Sequence, residues 1–334
     1  MTLSQERPPI TASERQSLAH AVSTAPGSAP LGAERSPIAL PHCHDGIKRN
    51  AVLAPFTTYR VGGPAEFFVA PRTLDALYAS VDWATDEGLP MTLLGAGSNL
   101  LISDRGLPGL VICTRYLRGS EFDPDTAQVT AIAGEPIVRL AWQAAERGWS
   151  GLEWAVGIPG TVGGAVVMNA GAHQGCAADS LASAQVLNRD GTTTCLLNGD
   201  LGYRYRTSNL QGSDRWVTQA TFQLQPGCDP AEVLTKTRAY LDYRHTTQPY
   251  HLPSCGSVFR NPNPQKAGQL IEQLGLKGYQ IGGAQISTQH ANFIVNVDGA
   301  TASDIISLIR YAQEQVYARW GVALEPEVKM MGQF

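Results

Sequence analysis

Two glycine-rich turns, each entered from an apolar run and lying roughly sixty residues apart, constrain this chain more than any other feature. The first is Leu94-Gly95-Ala96-Gly97-Ser98-Asn99. The second, Gly157-Ile158-Pro159-Gly160-Thr161-Val162-Gly163-Gly164, runs on into Met168-Asn169-Ala170-Gly171. Glycine lets the main chain approach an anion closely, and successive N–H groups in such a turn form an anion-binding concavity. A pair of such turns reads as two sets of amides able to wrap a diphosphate, so the sequence predicts a bound dinucleotide. Alone, the first turn is weak: Leu100 breaks the G-x-G-x-x-G fingerprint and no Gly-Lys-Ser/Thr follows. Ser98 and Asn99 strengthen it with side chains able to bond phosphate oxygens. The second turn is more specific, because six glycines (157, 160, 163, 164, 171, 175) are too many for a regular element and too apolar in context for a solvated linker.

A length of 334 residues exceeds the size at which single cores stop growing, so more than one domain is expected. The 43% hydrophobic and 16% charged fractions describe a soluble globular protein. A net charge of -4 recruits neither nucleic acid nor an acidic membrane face. Six scattered cysteines without C-x-x-C spacing exclude a disulfide scaffold and a structural zinc site. The start has no apolar signal core and no later segment is long enough to span a bilayer, so a cytoplasmic protein is expected.

Residues 1–45 lack a sustained period and read as a disordered tail; its His42-Cys43-His44-Asp45 run has no partner at ligand spacing, so no metal site is expected. Order is expected from Ile47. A strand at 67–70 is followed by a helix over 73–87, with Leu74, Leu77, Val81 and Ala84 on one face. A strand at 91–94 feeds the first glycine turn, and strands at 110–113 and 129–132 continue that sheet. A helix covers 137–147, and strands dominate from there to Leu224. At Asp229-Pro230-Ala231-Glu232, a capping residue, an N1 proline and a glutamate open a helix to about Tyr243, taken as the start of a second unit. Further elements are a helix over 265–274, a strand over 294–297, and a last helix from Thr301 with the stripe Ile305, Leu308, Ile309, Ala312, Val316.

Six motifs occur in one order: Thr58-Tyr59-Arg60-Val61-Gly62-Gly63-Pro64-Ala65, the first glycine turn, Gly157 through Gly171, Tyr205-Arg206-Thr207-Ser208, Cys255-Gly256-Ser257-Val258-Phe259-Arg260-Asn261-Pro262, and Leu324-Glu325-Pro326-Glu327-Val328. From Ile47 onward the chain closely resembles the UDP-N-acetylenolpyruvoylglucosamine reductases, flavoenzymes of peptidoglycan precursor synthesis. The resemblance implies an α+β protein with a vanillyl-alcohol-oxidase-like FAD-binding domain of two α/β subdomains (46–115 and 116–225). A smaller α/β substrate domain (226–321) and a C-terminal strand returning to the active site (322–334) complete it. The short connector between Leu224 and Asp229 is similar to the family's shorter form, which lacks a tyrosine-bearing loop.

The resemblance implies noncovalent FAD, reduction by NADPH, and hydride addition to the enol ether of UDP-N-acetylglucosamine enolpyruvate. It places three catalytic groups. Arg206 would stabilise the enolate that forms as hydride adds to C3, Ser257 would give a proton to C2, and Glu327 would act with the arginine. Glu325, two residues away on an extended chain, is either a supporting partner or a solvated carboxylate. For FAD the resemblance implies Tyr59, Arg60, Gly95, Ala96, Gly97, Ser98, Asn99, Leu100, Gly157, Ile158, Pro159, Gly160, Gly163, Gly164, Asn169, Ala170 and Gly171. For the UDP-sugar it implies Arg244, Gln248, Asn261 and His290, with Arg244 on either a diphosphate oxygen or the enolpyruvyl carboxylate. A monomer acting on a small molecule is expected. One departure is His173-Gln174, where the family commonly has an aromatic residue and glycine. Two other readings are an FAD oxidase of a small alcohol or lactone, which leaves Arg206, Ser257 and Glu327 without a joint purpose, and a UDP-sugar-binding regulator, which predicts loss of one of them.

Overall fold

The computed structural model describes residues 36–334, and residues 1–35 of the expected tail lie outside it. Order begins before Ile47. β1 (Ile38–Leu40) and β2 (Cys43–Val52) form an antiparallel hairpin whose Ile38, Leu40 and Ile47 enter a core with Leu77, Val81 and Leu110. Burial of three aliphatic side chains orders this stretch, and so short a strand shows no period. Of the His42-Cys43-His44-Asp45 run, His42 lies in the hairpin turn at a φ of 58° and the other three residues open β2. Among the described residues no cluster is arranged to hold a metal.

The first lobe continues with β3 (Pro64–Val69), α1 (Leu74–Asp86), β4 (Met91–Leu94), β5 (Leu100–Ile102) and β6 (Leu107–Cys113). Its five-stranded sheet has the order β1-β2-β3-β6-β4, with β3, β6 and β4 parallel. Thr73 caps α1 by accepting from Ala76 N at 3.2 Å, a contact worth about 1 kcal/mol. The first glycine turn leaves the carboxyl end of β4, the parallel edge strand, and ligands collect at such strand ends in open α/β sheets.

The second lobe holds β7 (Ser120–Asp123), β8 (Gln128–Ile132), α2 (Ile137–Glu146), α3 (Val162–Met168), β9 (Gly171–Ala172), β10 (Gly175–Cys176), α4 (Ala177–Ser180), β11 (Leu181–Asn188), β12 (Thr193–Leu197) and β13 (Arg215–Gln223). The strand at 129–132, expected in the first sheet, lies instead in a second antiparallel sheet of order β12-β11-β13-β8-β7. Its Val129 and Ala131 face the Ile137, Leu140, Ala141 and Ala144 stripe of α2, which anchors it there. α3 corrects the reading of the second glycine run as wholly irregular. Thr161 caps it, accepting from Gly164 N at 3.3 Å, and Asn169 ends it at a φ of 44°. Glycine opens this helix because a Cβ on Gly163 would lie 2.9 Å from Ala133 Cβ.

α5 (Pro230–Thr247) begins as expected, with Asp229 accepting from Ala231 N at 2.9 Å. Its body lies against the second lobe, and only its last turn meets the third domain, where Gln289 Nε2 donates to Thr246 O at 3.1 Å. It packs on α2, Lys236 Nζ meets Glu153 Oε1 at 3.2 Å, and none of its residues enters the third domain's core. Pairing of Ser150 with Gln225 and of Cys228 N with Gly148 O keeps the connector against the second lobe.

The third domain comprises α6 (Ala267–Gln273), β14 (Gln280–Ile281), β15 (Ala284–Ile286), β16 (Ile294–Asn296) and α7 (Ala302–Trp320). α7 buries the expected stripe and opens on a reciprocal Thr301–Asp304 capping box. Asp104 of the first lobe accepts from Ala302 N at 2.8 Å and Ser303 N at 2.9 Å. Tyr59, Val61 and Leu101 of that lobe share the third domain's core. β17 (Lys329–Met331) then pairs in parallel with β5, beside the first glycine turn. No helix among the described residues is long and apolar enough to cross a membrane.

Candidate active site

The two glycine turns face one another. A Cβ on Gly95 would lie 2.8 Å from Thr161 Oγ1, and one on Gly160 would lie 3.5 Å from Ser98 Oγ. No N–H from Gly95 through Asn99 donates to a described acceptor, and neither do those of Gly160 and Thr161. Seven backbone donors on opposed turns form an anion cradle. Val162 N and Gly163 N, by contrast, donate to Glu135 O and Ala133 O, each at 2.8 Å, and Gly164 N to Thr161 Oγ1, so the amides of Gly163 and Gly164 have acceptors within the protein. Gly97, at a φ of 66°, backs onto the Phe56 carbonyl, where any Cβ would strike. Sequence reasoning missed Thr161. It also missed Arg115, whose Nη2 donates to Phe56 O at 2.7 Å and Ala96 O at 2.9 Å and so turns the Ala96 carbonyl away from the cradle. An isolated arginine after a strand carries no pattern that would reveal this.

Arg206 and Glu327 are in contact, Nε to Oε1 at 2.9 Å. Arg206 Nη2 also donates to Gly171 O at 2.6 Å. One edge of the guanidinium is thus fixed, and Nη1 makes no contact with a described acceptor. Arg206 holds a φ of 54° in the turn that presents it. Glu327 N donates to Val258 O at 2.7 Å beside a backbone bridge between Phe259 and Pro326, and Ser257 immediately precedes Val258 in the chain. Asn99 Nδ2 donates to Glu327 O at 3.1 Å and Lys329 N to Asn99 O at 3.0 Å, tying the first turn to this strand. The Asn99 side-chain amide therefore holds the Glu327 carbonyl. Burial raises the Glu327 pKa above the usual carboxylate range, against the opposing pull of Arg206, Arg260 and Lys329. Glu325 instead pairs with Arg260 at 3.5 Å and is 68% exposed, which separates the two carboxylates by environment.

A cavity of about 380 Å³ is lined by Arg60, Pro159, Arg244, Gln248, Tyr250 and Gly256 among others and by no carboxylate; its wall includes Gly256, the neighbour of Ser257, but not Arg206, Ser257 or Glu327. Arg244 Nε donates to Tyr250 Oη at 2.7 Å, and Tyr250 Oη donates to Gly157 O. Several of the expected contact residues have partners within the protein. The Tyr59 ring is fully buried, with its hydroxyl against the Cys255 thiol, whose pKa burial pushes up to about 12. Asn169 donates to Arg204 O at 2.9 Å and accepts from Ala178 N at 3.0 Å, so its amide supports the fold. Ile158 and Ala170 pack on the second lobe's core, and Leu100 pairs with Lys329 in the sheet. Asn261 accepts from Ala267 N at 3.1 Å at the start of α6. His290 accepts from Asn292 N at 3.2 Å and meets the Phe293 ring edge-on at 4.8 Å. Neither of these two lines the cavity.

Two α/β lobes with opposed glycine turns and a third domain across their cleft define a flavoprotein of vanillyl-alcohol-oxidase-like fold. The family model for an FAD binding domain matches residues 65–196, and that for the C-terminal domain of UDP-N-acetylenolpyruvoylglucosamine reductase matches residues 248–331. A reductase of that name from Trichormus variabilis is 63% identical over 297 residues, covering 89% of this chain and 90% of its own. One from Synechocystis is 56% identical over 311 residues, covering 92% and 98%. The solved reductase of Thermus caldophilus superposes with a TM-score of 0.73 at 36% identity, covering 84% of this chain and 97% of that one. The chain belongs to the UDP-N-acetylenolpyruvoylglucosamine reductase family. Its residues fit FAD: the opposed, unpaired amides suit a diphosphate, and Gly95 and Gly160 leave the space a side chain would fill.

Proposed function

We propose that this protein reduces UDP-N-acetylglucosamine enolpyruvate to UDP-N-acetylmuramate, a step in peptidoglycan precursor synthesis, as a cytoplasmic monomer using NADPH and noncovalent FAD. The observation that carries the reading is the Arg206–Glu327 pair at 2.9 Å, with Ser257 next in the chain to Val258, whose carbonyl accepts from Glu327 N. Bound FAD supplies hydride chemistry. The chain's own residues do the rest. Arg206, oriented by Glu327 and the Gly171 carbonyl, has its remaining N–H groups for the substrate carboxylate, where negative charge collects once C3 has gained hydride. Ser257 moves a proton to C2; a serine hydroxyl is a weak acid, and the strongly basic enolate is the acceptor it requires. Arg60 and Arg244 of the cavity hold the diphosphate, and Gln248 bonds the sugar nucleotide.

The test is NADPH consumption by purified holoprotein with and without the enol ether. Consumption that depends strictly on the enol ether, and anaerobic reoxidation of photoreduced enzyme by that compound, are the expected results. Reoxidation by oxygen alone would replace this reading with the oxidase one.

A further inference from the structure

The hairpin that anchors Arg206 is held at its outer end by a contact the reaction above does not use. β9 and β10 pair only Gly171 with Cys176 and Ala172 with Gly175, joined by His173 and Gln174 at φ values of 50° and 66°. So short a ladder is marginal by itself. Gly175 lies against Trp154, with a Cβ there 2.9 Å from the indole, which fixes the inner side. The outer side rests on His173. Its ring lies parallel to Tyr240, centroids 4.1 Å apart at 2°, while Tyr243 meets it edge-on at 5.7 Å and 73°. Both tyrosines belong to α5, and Arg244 of the cavity wall follows directly. His173 Nε2 is buried without a described hydrogen-bond partner, so stacking holds the ring rather than a polar bond. Burial, and then the Arg244 charge, depress its pKa, which keeps the stacked ring neutral.

We infer that His173 is a positioning residue: its stack on Tyr240 and Tyr243 sets the Gly171 carbonyl, and through it the Arg206 guanidinium. The inference rests on the proposed function only in taking Arg206 as the partner of the substrate carboxylate. Aromatic pairs of this kind are worth enough to change an affinity about three- to tenfold.

Calorimetric titration of oxidised holoprotein compares UDP-N-acetylmuramate, which has the carboxylate, with UDP-N-acetylglucosamine, which lacks it. His173→Ala is expected to weaken the first about three- to tenfold and leave the second unchanged, with His173→Phe restoring the first. Tyr240→Ala, from the other side of the stack, is expected to give the same selective loss. Equal weakening of both ligands, no weakening, or failure of phenylalanine to rescue would overturn the inference. A wild-type protein that does not prefer the carboxylate-bearing ligand would remove the Arg206 assignment and the inference with it. A wild type that prefers it, beside unaffected variants, would remove the inference alone.

Discussion

Arg206 Nε and Glu327 Oε1 lie 2.9 Å apart although 121 positions separate the residues in the chain. The pair joins the second lobe to the strand that threads between Val258 of the third domain and Asn99 of the first. All three parts of the molecule therefore meet at one guanidinium, and a shift of any part relative to the others moves it.

Replacing Arg206 by lysine tests that geometry. Lysine keeps the charge but cannot reach Glu327 and Gly171 with one edge while offering another to a ligand. Reoxidation of the flavin by the enol ether is expected to slow about 10²–10³-fold, while reduction by NADPH changes little. Stopped-flow absorbance separates the two half-reactions, and equal losses would contradict the role assigned to the arginine.

Ser257→Ala leaves the Val258–Glu327 backbone bond in place, because that bond uses main-chain atoms alone. The expected outcome is intact reduction by NADPH with a loss of about 10²–10⁴-fold in the enol ether half-reaction. Normal reoxidation would show that another group delivers the proton.

The order of motifs in the sequence revealed the fold and singled out Arg206 and Glu327, which the fold brings into contact, because each motif is a run of local backbone chemistry. What stayed hidden was long-range. The α5 helix announced its start through Asp229 and Pro230, yet its allegiance to the second lobe depends on Glu153 and on the Ser150–Gln225 pairing. The sequence also carried no sign that Gly163 is needed for close approach to Ala133. Asn169 and Asn261 carry side chains that suit a ligand equally well as a helix terminus. Only neighbours distant in sequence decide which.

Two glycines of nearly equal backbone angle separate cradle from turn. Gly97 and Gly88 have φ values of 66° and 65°, but a Cβ on Gly97 would strike Phe56 and Thr57 main chain, whereas nothing lies within 4 Å of one on Gly88. Gly88→Ala is expected to cost about 1 kcal/mol of stability and to retain FAD. Gly97→Ala is expected to displace the turn and to purify largely colourless. Visible absorbance at equal protein concentration reads the difference, and full flavin content in Gly97→Ala would show that the cradle tolerates the displacement.

Glu327 sets function against stability. Its pKa is raised in the folded protein by burial, which Arg206 offsets only in part. A raised acid binds its proton more tightly folded than unfolded, so its contribution to stability is complete below the unfolded pKa and is lost as pH rises through the folded one. Glu327→Gln has no proton to lose and retains an oxygen for the Arg206 Nε bond. The Tm of this variant relative to wild type is therefore expected to climb as pH rises from about 4 through the folded pKa and then to level off. Over the same range its enol ether half-reaction stays severely impaired, because a neutral amide holds the arginine less firmly than a carboxylate. Thermal scans of both proteins across that range check the sign. A difference that shrinks with pH would mean that the arginine outweighs burial and that the carboxylate is a net stabilising charge.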